Sequence, residues 1–390
     1  MKKTIIILLF AVLTGIGANL AHPVTPLYIR QLNIKPYMFG LFYTVMNLGI
    51  FIMSPFWGNL GDLIKRKYIV LIGLAGYGIA QGFFAYFSNE YLILIARFFA
   101  GFFYAAIMTS LLAYLQEDTD FKNKRTLISI FLALNVLGGS LGYLIGGQLG
   151  NVFEENVKIV IYIQMMFSVG LSLLTVFLDT RVNKEVKEKE KKNVFKQMSQ
   201  IRFLSKPLIL LLIITALINL AQTNFSKYLD LYITDLGFKS SDLGSFVFVT
   251  GIVTIVVTLL LVPYILRKLN PIWVMVISTF VGGIFTFLTF SLNQSYILIW
   301  LYSLYMVYVA FKAIYDPALV NHLADYKEVS AGMLMGLRQS ALSLGAIVGP
   351  LIAGFLYGYI SVYLFYGLAG ILILMALLLM WYKKLSGVKV

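Results

Sequence analysis

The chain has 390 residues, of which 60% are apolar and only 12% are charged, and its formal net charge is +14 at neutral pH. Soluble domains carry about 25% charged residues, so this composition excludes a water-soluble globule and indicates a chain surrounded by lipid. The sequence contains no cysteine, which excludes thiol catalysis and disulfide bonds.

Apolar runs long enough to cross a membrane recur along the whole sequence. A helix of about 20 residues spans a hydrocarbon layer of about 30 Å. A backbone in lipid has to satisfy its own hydrogen bonds, so long runs without strict polar alternation predict helices rather than a barrel. The sequence therefore predicts an all-α integral membrane protein. Its twelve transmembrane spans are placed near residues 4–29, 36–60, 68–88, 91–115, 126–150, 157–179, 206–232, 241–265, 271–291, 295–321, 331–356 and 358–382.

The first span begins close to the N-terminus, where Lys2 and Lys3 precede an apolar run. A secretory signal has the same arrangement of charges, apolar run and small residues. The apolar pattern continues past Ala21 to Ile29, which favours a first transmembrane helix over a cleaved signal.

Basic residues are concentrated in every second loop. Lys2 and Lys3 precede span one, Lys65, Arg66 and Lys67 follow span two, and the pattern continues along the chain. Since excess Lys and Arg marks the cytoplasmic side, we expect a multi-pass protein of the plasma membrane with both termini in the cytoplasm. The net charge is then mainly a topology signal, and no nucleic-acid partner is expected.

One segment departs from the apolar composition and divides the chain. Residues 180–205 are rich in lysine and glutamate and predict a cytoplasmic linker. On either side lie two six-helix bundles, residues 1–179 and 206–390.

Two glycine-rich spans indicate an internal duplication. Span five contains LGGSLGYLIGGQLG and span eleven contains LGAIVGPLIAGFL. A shift of 207 residues superposes their small residues, which are Gly138, Gly142 and Gly146 in the first half and Gly345, Gly349 and Ala353 in the second. Small residues at this spacing let helices approach closely. One such run would indicate only general packing, whereas a matched pair, with Pro350 in the second copy, favours a transporter built from parallel repeats.

The loop after span two reads GNLGDLIKRK, residues 58–67, and a lone carboxylate stands before three bases. A carboxylate at this helix end can accept hydrogen bonds from a neighbouring helix start and pair with a base. Such contacts form in one packing of the helices and break in another. We therefore interpret the loop as a conformational latch formed by Gly58, Gly61, Asp62, Arg66 and Lys67.

The same loop resembles a signature of the major facilitator superfamily, in its twelve-span drug:proton antiporter branch. Gly58, Leu60, Gly61, Asp62, Arg66 and Lys67 match the signature, whereas Leu63 and Lys65 depart from it. The resemblance covers the whole length of the chain. It extends to the arginine motif of span four, at Arg97 and Gly101, and to the paired prolines of span one. In span five, Tyr143 stands where the family's exporter pattern has proline. Span eleven matches this pattern more fully, because Pro350 occupies the corresponding position.

This resemblance implies a major facilitator fold of two pseudo-symmetric six-helix bundles. It also implies multidrug-efflux-like export of small amphiphilic compounds by alternating access, with the latch closing the cytoplasmic side and a proton gradient as the energy source. No phosphate-binding loop is present in the sequence, so ATP is not expected to drive transport. We expect no cofactor, no metal and a functional monomer.

Several ionisable residues lie inside the spans, where each charge costs about 2.5–3.5 kcal/mol if it is not compensated. By depth, Asp316 is predicted to bridge Lys312 and Arg338, and Asp230 is a candidate partner of Lys227. The residues predicted to serve proton coupling are Asp62, Arg97, Asp316, Arg338 and His22. His22 is also a candidate for a purely structural histidine.

Polar side chains at helical spacing predict a central substrate cavity. Single polar residues inside a bundle more often join helices, but stripes on corresponding spans of both halves favour a cavity. The predicted lining residues are Asn19, Tyr104, Gln222, Ser226, Lys227, Tyr305, Tyr308 and Lys312.

The substrate is the least constrained part of the interpretation. Interior bases outnumber interior acids, which favours a neutral, zwitterionic or anionic amphiphile. Export of a lipid or glycolipid by a flippase, import of a small anionic solute, and sodium coupling stay open as alternatives. A membrane enzyme would need a reactive cluster of side chains, and we expect none.

Overall fold

A computed structural model describes residues 2–117, 124–178, 204–324 and 331–386, and these residues are almost entirely helical. The helices are α1 Lys2–Asn19, α2 Thr25–Gln31, α3 Pro36–Leu63, α4 Arg66–Tyr86, α5 Glu90–Glu117, α6 Lys124–Val152, α7 Lys158–Leu173, α8 Lys206–Asp235, α9 Ser240–Val256, α10 Val262–Lys268, α11 Pro271–Ser291, α12 Ile297–Tyr302, α13 Leu304–Ala324, α14 Ala331–Ile360 and α15 Tyr363–Ser386. In the described ranges, eleven helical segments are long and apolar enough to cross a membrane, or twelve if one bent pair is a single span. The predicted all-α membrane architecture is confirmed.

The first predicted span is divided into two helices. Helix α1 ends at Asn19, a short 3-10 turn covers His22–Val24, and α2 begins at Thr25. Pro23 and Pro26 lie at the starts of the turn and of α2, where their missing N–H groups are not needed. The prolines therefore mark where the first span divides into α1 and α2, and the span continues beyond them.

The eighth predicted span contains a widened turn. Helix α9 passes into a π segment, Val257–Leu261, which is followed directly by α10. Pro263 lies in the first turn of α10 and cannot donate a hydrogen bond to the preceding turn. A local π turn is a common way to accommodate such an interruption.

The tenth predicted span is the bent pair. Its two helical parts, Gln294–Tyr302 and Leu304–Leu323, meet at an angle of 42°. Ser303 lies at the bend with φ −112° and ψ −80°, and its hydroxyl donates to the carbonyl of Ile299 at 2.6 Å. A serine that bonds back to its own helix is a recognised cause of bending.

The described residues form two compact units. One contains residues from Met1–Lys191 and Ile233–Gly251, and the other contains residues from Lys192–Tyr232 and Ile252–Val390. The predicted domain bounds, 1–179 and 206–390, stay a prediction, and all but the last two residues of the predicted linker lie outside the described residues.

Within the first unit, the segment Ile233–Gly251 is held by polar contacts. Asn151 donates to the hydroxyl of Ser241 at 2.7 Å, and Arg30 forms an ion pair with Asp235. Close backbone contact accompanies them, since a Cβ at Gly147 would lie 3.0 Å from the Cα of Gly244. These contacts explain why the segment belongs to the first compact unit, although it follows residues of the second unit in the sequence.

The glycines of α6 form a seam with α1. A Cβ on Gly138 or Gly146 would overlap the carbonyl oxygen of Val12 or Leu20, and one on Gly142 would lie 2.7 Å from that of Ile16. Real Cβ atoms do not approach an oxygen so closely, so only glycine permits this packing.

An equivalent seam joins α8 and α14 in the second unit. A Cβ on Gly345 would overlap the carbonyl oxygen of Ala216, and one on Gly349 would lie 3.2 Å from that of Leu220. Tyr228 donates to the carbonyl of Pro350 at 3.1 Å. The two glycine patterns that differ by 207 positions therefore occupy corresponding helix pairs, spans one and five and spans seven and eleven.

We expect Gly138→Leu to destabilise the protein by at least about 1–3 kcal/mol, the usual cost of overpacking, because α1 would have to move away from α6. The measurement is the melting temperature of the detergent-purified protein. Gly170→Leu is the matched control, since nothing lies within 4 Å of a Cβ at that position. Equal melting temperatures for the two variants would contradict the role given to the seam.

Candidate functional site

The turn between α3 and α4 carries the predicted latch. Helix α3 ends at Leu63, Ile64 and Lys65 are extended, and α4 begins at Arg66. Lys65 has φ −60° and ψ 127°, a conformation that any L-residue adopts. The replacement of the family's glycine by Lys65 therefore does not strain the turn.

Two latch residues are in direct contact. The guanidinium of Arg66, a residue only 4% exposed, lies where a side chain at position 61 would have to be, so a larger residue than Gly61 would displace the end of the Arg66 side chain. Gly58 faces open space, and the ammonium of Lys67 lies 5.4 Å from the ring centre of Tyr68. The side chain of Asp62 lies outside the described residues, so its latch and proton-coupling roles stay a prediction.

Arg97 of α5 is a buried cation in the first unit. The residue is 4% exposed, and its guanidinium stacks on the ring of Phe84 at 3.5 Å. Its hydrogen bond goes to the amide oxygen of Gln81 at 3.3 Å, and its Nε has no partner among the described residues. Arg97 is thus stabilised by a ring and a neutral amide, and no carboxylate is paired with it in the described part of the chain.

A chain of hydrogen bonds links Arg97 to the broken first span. Gln81 donates to the hydroxyl of Tyr77 at 2.7 Å, and Tyr77 donates to the carbonyl of Ala18 at 3.1 Å. Gln164 donates to the carbonyl of Gly17 at 2.7 Å. The last carbonyls of a helix lack partners within that helix, so Tyr77 and Gln164 satisfy the end of α1 inside the membrane.

His22 lies beside this network, in the 3-10 turn of the first span. Its ring is stacked between those of Tyr43 and Tyr143, with centroids at 5.8 Å and 5.7 Å. Its Nδ1 is 3.2 Å from the hydroxyl of Tyr43. Of the predicted cavity residues nearby, Asn19 donates to the carbonyl of Gly15 in its own helix at 3.0 Å.

The second unit contains an ion pair within the spans. Asp316 of α13 and Arg338 of α14 lie 2.5 Å apart, from Oδ1 to Nη2, and their side chains are 55% and 14% exposed. The contact predicted between these two residues is confirmed. The predicted ion pair between Lys312 and Asp316 is wrong, because Lys312 has no ion pair among the described residues.

Tyr305 and Tyr308 precede Lys312 on the same face of α13 at helical spacing. Tyr308 precedes Lys312 by one turn and lies 4.9 Å from Tyr305 and 5.3 Å from Phe225, between ring centres. Tyr305 and Tyr308 are 4% and 2% exposed. The hydroxyl of Tyr308 has no hydrogen-bond partner among the described residues.

The predicted polar stripe on α8 serves more than one purpose. Asn219 joins α8 to α14, since it donates to the carbonyl of Leu342 at 2.6 Å. Gln222 and Lys227 are half-buried, and Ser226 is exposed. Tyr104, the remaining predicted cavity residue, lies in the first unit, 5.8 Å from Tyr77 between ring centres.

The sequence interpretation missed Tyr77, Gln81 and Gln164. Their signal was available, because two amides in the middle of strongly apolar spans are unusual. The described residues contain no group of three or more His, Asp or Glu that could hold a metal ion.

Long apolar helices with buried charges inside them define a multi-pass membrane protein of the transporter class. The chain belongs to the Major Facilitator Superfamily, whose family model matches residues 7–311 and 264–389. The predicted resemblance is therefore confirmed, and the protein is a membrane transporter and not an enzyme.

Relatives with established names match almost the whole chain at low identity. "Multidrug resistance protein 2" of Bacillus subtilis (strain 168) is 23% identical over 372 residues, which are 91% of this chain and 89% of that protein. "Quinolone resistance protein NorA" of Staphylococcus aureus (strain MSSA476) is 24% identical over 361 residues, 92% of this chain and 90% of that protein.

Solved structures share the fold. The nucleoside transporter NupG has a TM-score of 0.80 at 15% identity, over 98% of this chain and 100% of that one. A bacterial homolog of the human lysosomal transporter Spinster, in an inward-facing and unoccupied conformation, has a TM-score of 0.74 at 13% identity, over 98% and 95%. These likenesses show the major facilitator fold, as predicted, and the fold alone.

Proposed function

We propose that this protein is a proton-coupled transporter that exports small amphiphilic compounds by alternating access. The observation that carries the proposal is the ion pair between Asp316 and Arg338 inside the membrane-spanning helices. The names of the multidrug and quinolone resistance relatives support export of amphiphiles as the direction and substrate class.

The ion pair has the properties that a proton-exchange site needs. Asp316 is 55% exposed, so its carboxylate is accessible to a proton, whereas Arg338 is only 14% exposed. Protonation of Asp316 would leave the Arg338 guanidinium without its counter-charge, which is costly for a group in this position. Protonation would therefore favour any conformation that gives Arg338 another partner or more water.

The remaining predictions fit into the same cycle. The termini lie in the cytoplasm of a plasma-membrane protein, and one chain is sufficient for transport. Asp62 with Arg66 and Lys67 closes the cytoplasmic side in one state, while Arg97 and His22 take part in proton movement in the first unit. Neither a cofactor nor a metal is part of the cycle.

The test uses everted membrane vesicles that contain the protein, with a pH gradient imposed. We expect fluorescent amphiphiles to be taken up into the vesicles when the interior is acid, and uptake to collapse when a protonophore is added. Uptake that follows a sodium gradient instead, or movement in the opposite direction, would contradict the proposal. Transbilayer movement of labelled lipid without uptake of amphiphiles would identify a flippase.

A further inference from the structure

We infer that the substrates of this transporter carry a carboxylate, and that the ammonium group of Lys312 binds it. The inference rests on the proposed export function and narrows its substrate class.

The described spans contain cations that form no ion pair with any carboxylate among the described residues. Asp316 is taken by Arg338. Among the described residues, Arg97 has an amide and a ring as its partners, and Lys312 has no hydrogen bond or ion pair. A charge in this environment costs about 2.5–3.5 kcal/mol when nothing compensates it. The attraction of Asp316 offsets part of this cost for Lys312, and a bound anion would offset more of it.

Lys312 differs from Arg97 in its accessibility. Arg97 is 4% exposed and stacked on Phe84, so its guanidinium is packed into the protein. Lys312 is half-buried on α13, and part of its side chain is therefore open to a ligand. An ammonium group does not face hydrocarbon when it can face water or an anion, which makes this accessible side chain the better candidate.

A neighbour of Lys312 adds a second hydrogen-bond donor for a carboxylate. Tyr308, one turn away, is 2% exposed, and its hydroxyl has no hydrogen-bond partner among the described residues. A buried donor without an acceptor costs about 1–3 kcal/mol, so a ligand carboxylate held by Lys312 would also satisfy Tyr308. The rings of Tyr305 and Phe225 pack against Tyr308 and are buried as it is, so its hydroxyl has apolar surroundings.

A second cation strengthens the preference for an anion. The charge of Lys227, on α8 of the same unit, repels that of Lys312. An anion bound at Lys312 weakens this repulsion, whereas a cationic substrate would add to it.

The experiment compares a quinolone carboxylic acid with its methyl ester, which lacks the negative charge but keeps the rings. Binding is measured by fluorescence quenching on the full chain in nanodiscs, and export is measured in everted vesicles. A charge-assisted hydrogen bond contributes about 1.5–3 kcal/mol, so we expect the wild type to bind the acid at least about tenfold more tightly than the ester.

Lys312→Met is expected to remove this preference: affinity for the acid falls about tenfold, and affinity for the ester stays within about twofold. Lys312→Arg should keep the preference. Lys239→Met is the matched control, because Lys239 is an exposed residue outside the site. Equal binding of acid and ester by the wild type, or an equal loss of both in Lys312→Met, would overturn the inference.

Failure of the inference differs from failure of the proposed function. Proton-driven export of ester and acid at equal rates would remove the carboxylate preference and leave the export function intact. Tighter binding of the acid than of the ester, without proton-driven export of either compound, would support the carboxylate preference and contradict the export function.

Discussion

Asp316→Asn is expected to abolish proton-driven export while the protein remains folded in the membrane. Asparagine still accepts a hydrogen bond from Arg338 but cannot gain or lose a proton in the working pH range. Asparagine leaves the Arg338 guanidinium without its counter-charge, and because Asp316 is 55% exposed we expect the free energy of unfolding to fall by about 1–3 kcal/mol, less than for a fully buried pair. The measurements are ΔpH-driven uptake into everted vesicles and the melting temperature of the purified protein.

The matched control is Asp242→Asn. Asp242 accepts a hydrogen bond from the backbone N–H of Lys239 at the start of α9, a role that asparagine can also fulfil. Asp316→Glu should retain part of the proton-driven flux. Wild-type flux in Asp316→Asn would remove Asp316 from the coupling mechanism.

Arg97→Leu is expected to reduce transport at least about tenfold without lowering the melting temperature. The buried guanidinium costs about 2.5–3.5 kcal/mol in the membrane, and stacking on Phe84 returns about 2 kcal/mol when desolvated. The two contributions nearly cancel, so removal of the charge should be almost neutral for stability. A residue that is kept at no gain in stability is best explained by a role in transport.

Arg97→Lys separates charge from shape in this prediction. Lysine keeps the charge but lacks the planar group that stacks on Phe84 and reaches Gln81, so we expect low transport here as well. Arg267→Leu is the control, since Arg267 is exposed at the end of α10. If Arg97→Leu melts well below the wild type and transports normally once folded, Arg97 is structural.

The positions of the membrane-spanning helices could be predicted from the sequence, because they depend almost entirely on the hydropathy and length of the apolar runs. The hydropathy pattern predicts span nine at residues 271–291, and α11 is Pro271–Ser291. Departures occur where the backbone changes direction inside an apolar run. Pro23 and Pro263 were visible signals for the first and eighth spans, whereas nothing in the sequence around Ser303 distinguishes a bend from a serine in a straight helix.

Contacts in the site could be predicted only where the depth of two residues along consecutive spans was enough to bring them together. Asp316 and Arg338 lie at the same depth on consecutive spans, and they meet. The bridge to Lys312 failed within a single helix, because a base that precedes an acid by four residues is the weaker orientation of such pairs. The network of Tyr77, Gln81 and Gln164 depends on carbonyls that only the end of α1 makes available, and a sequence does not show which helix ends face one another.

The glycine seams determine which parts of the molecule can be mobile. Where the carbonyl oxygens of Val12 and Ile16 press against glycine Cα atoms, neither lipid tails nor water can enter, and each contact also gains a weak Cα–H···O attraction. Helix α1 is therefore expected to move together with α6, and α8 together with α14. Any bending of the helices is then expected at interrupted segments, such as Ser303 and the π turn before Pro263.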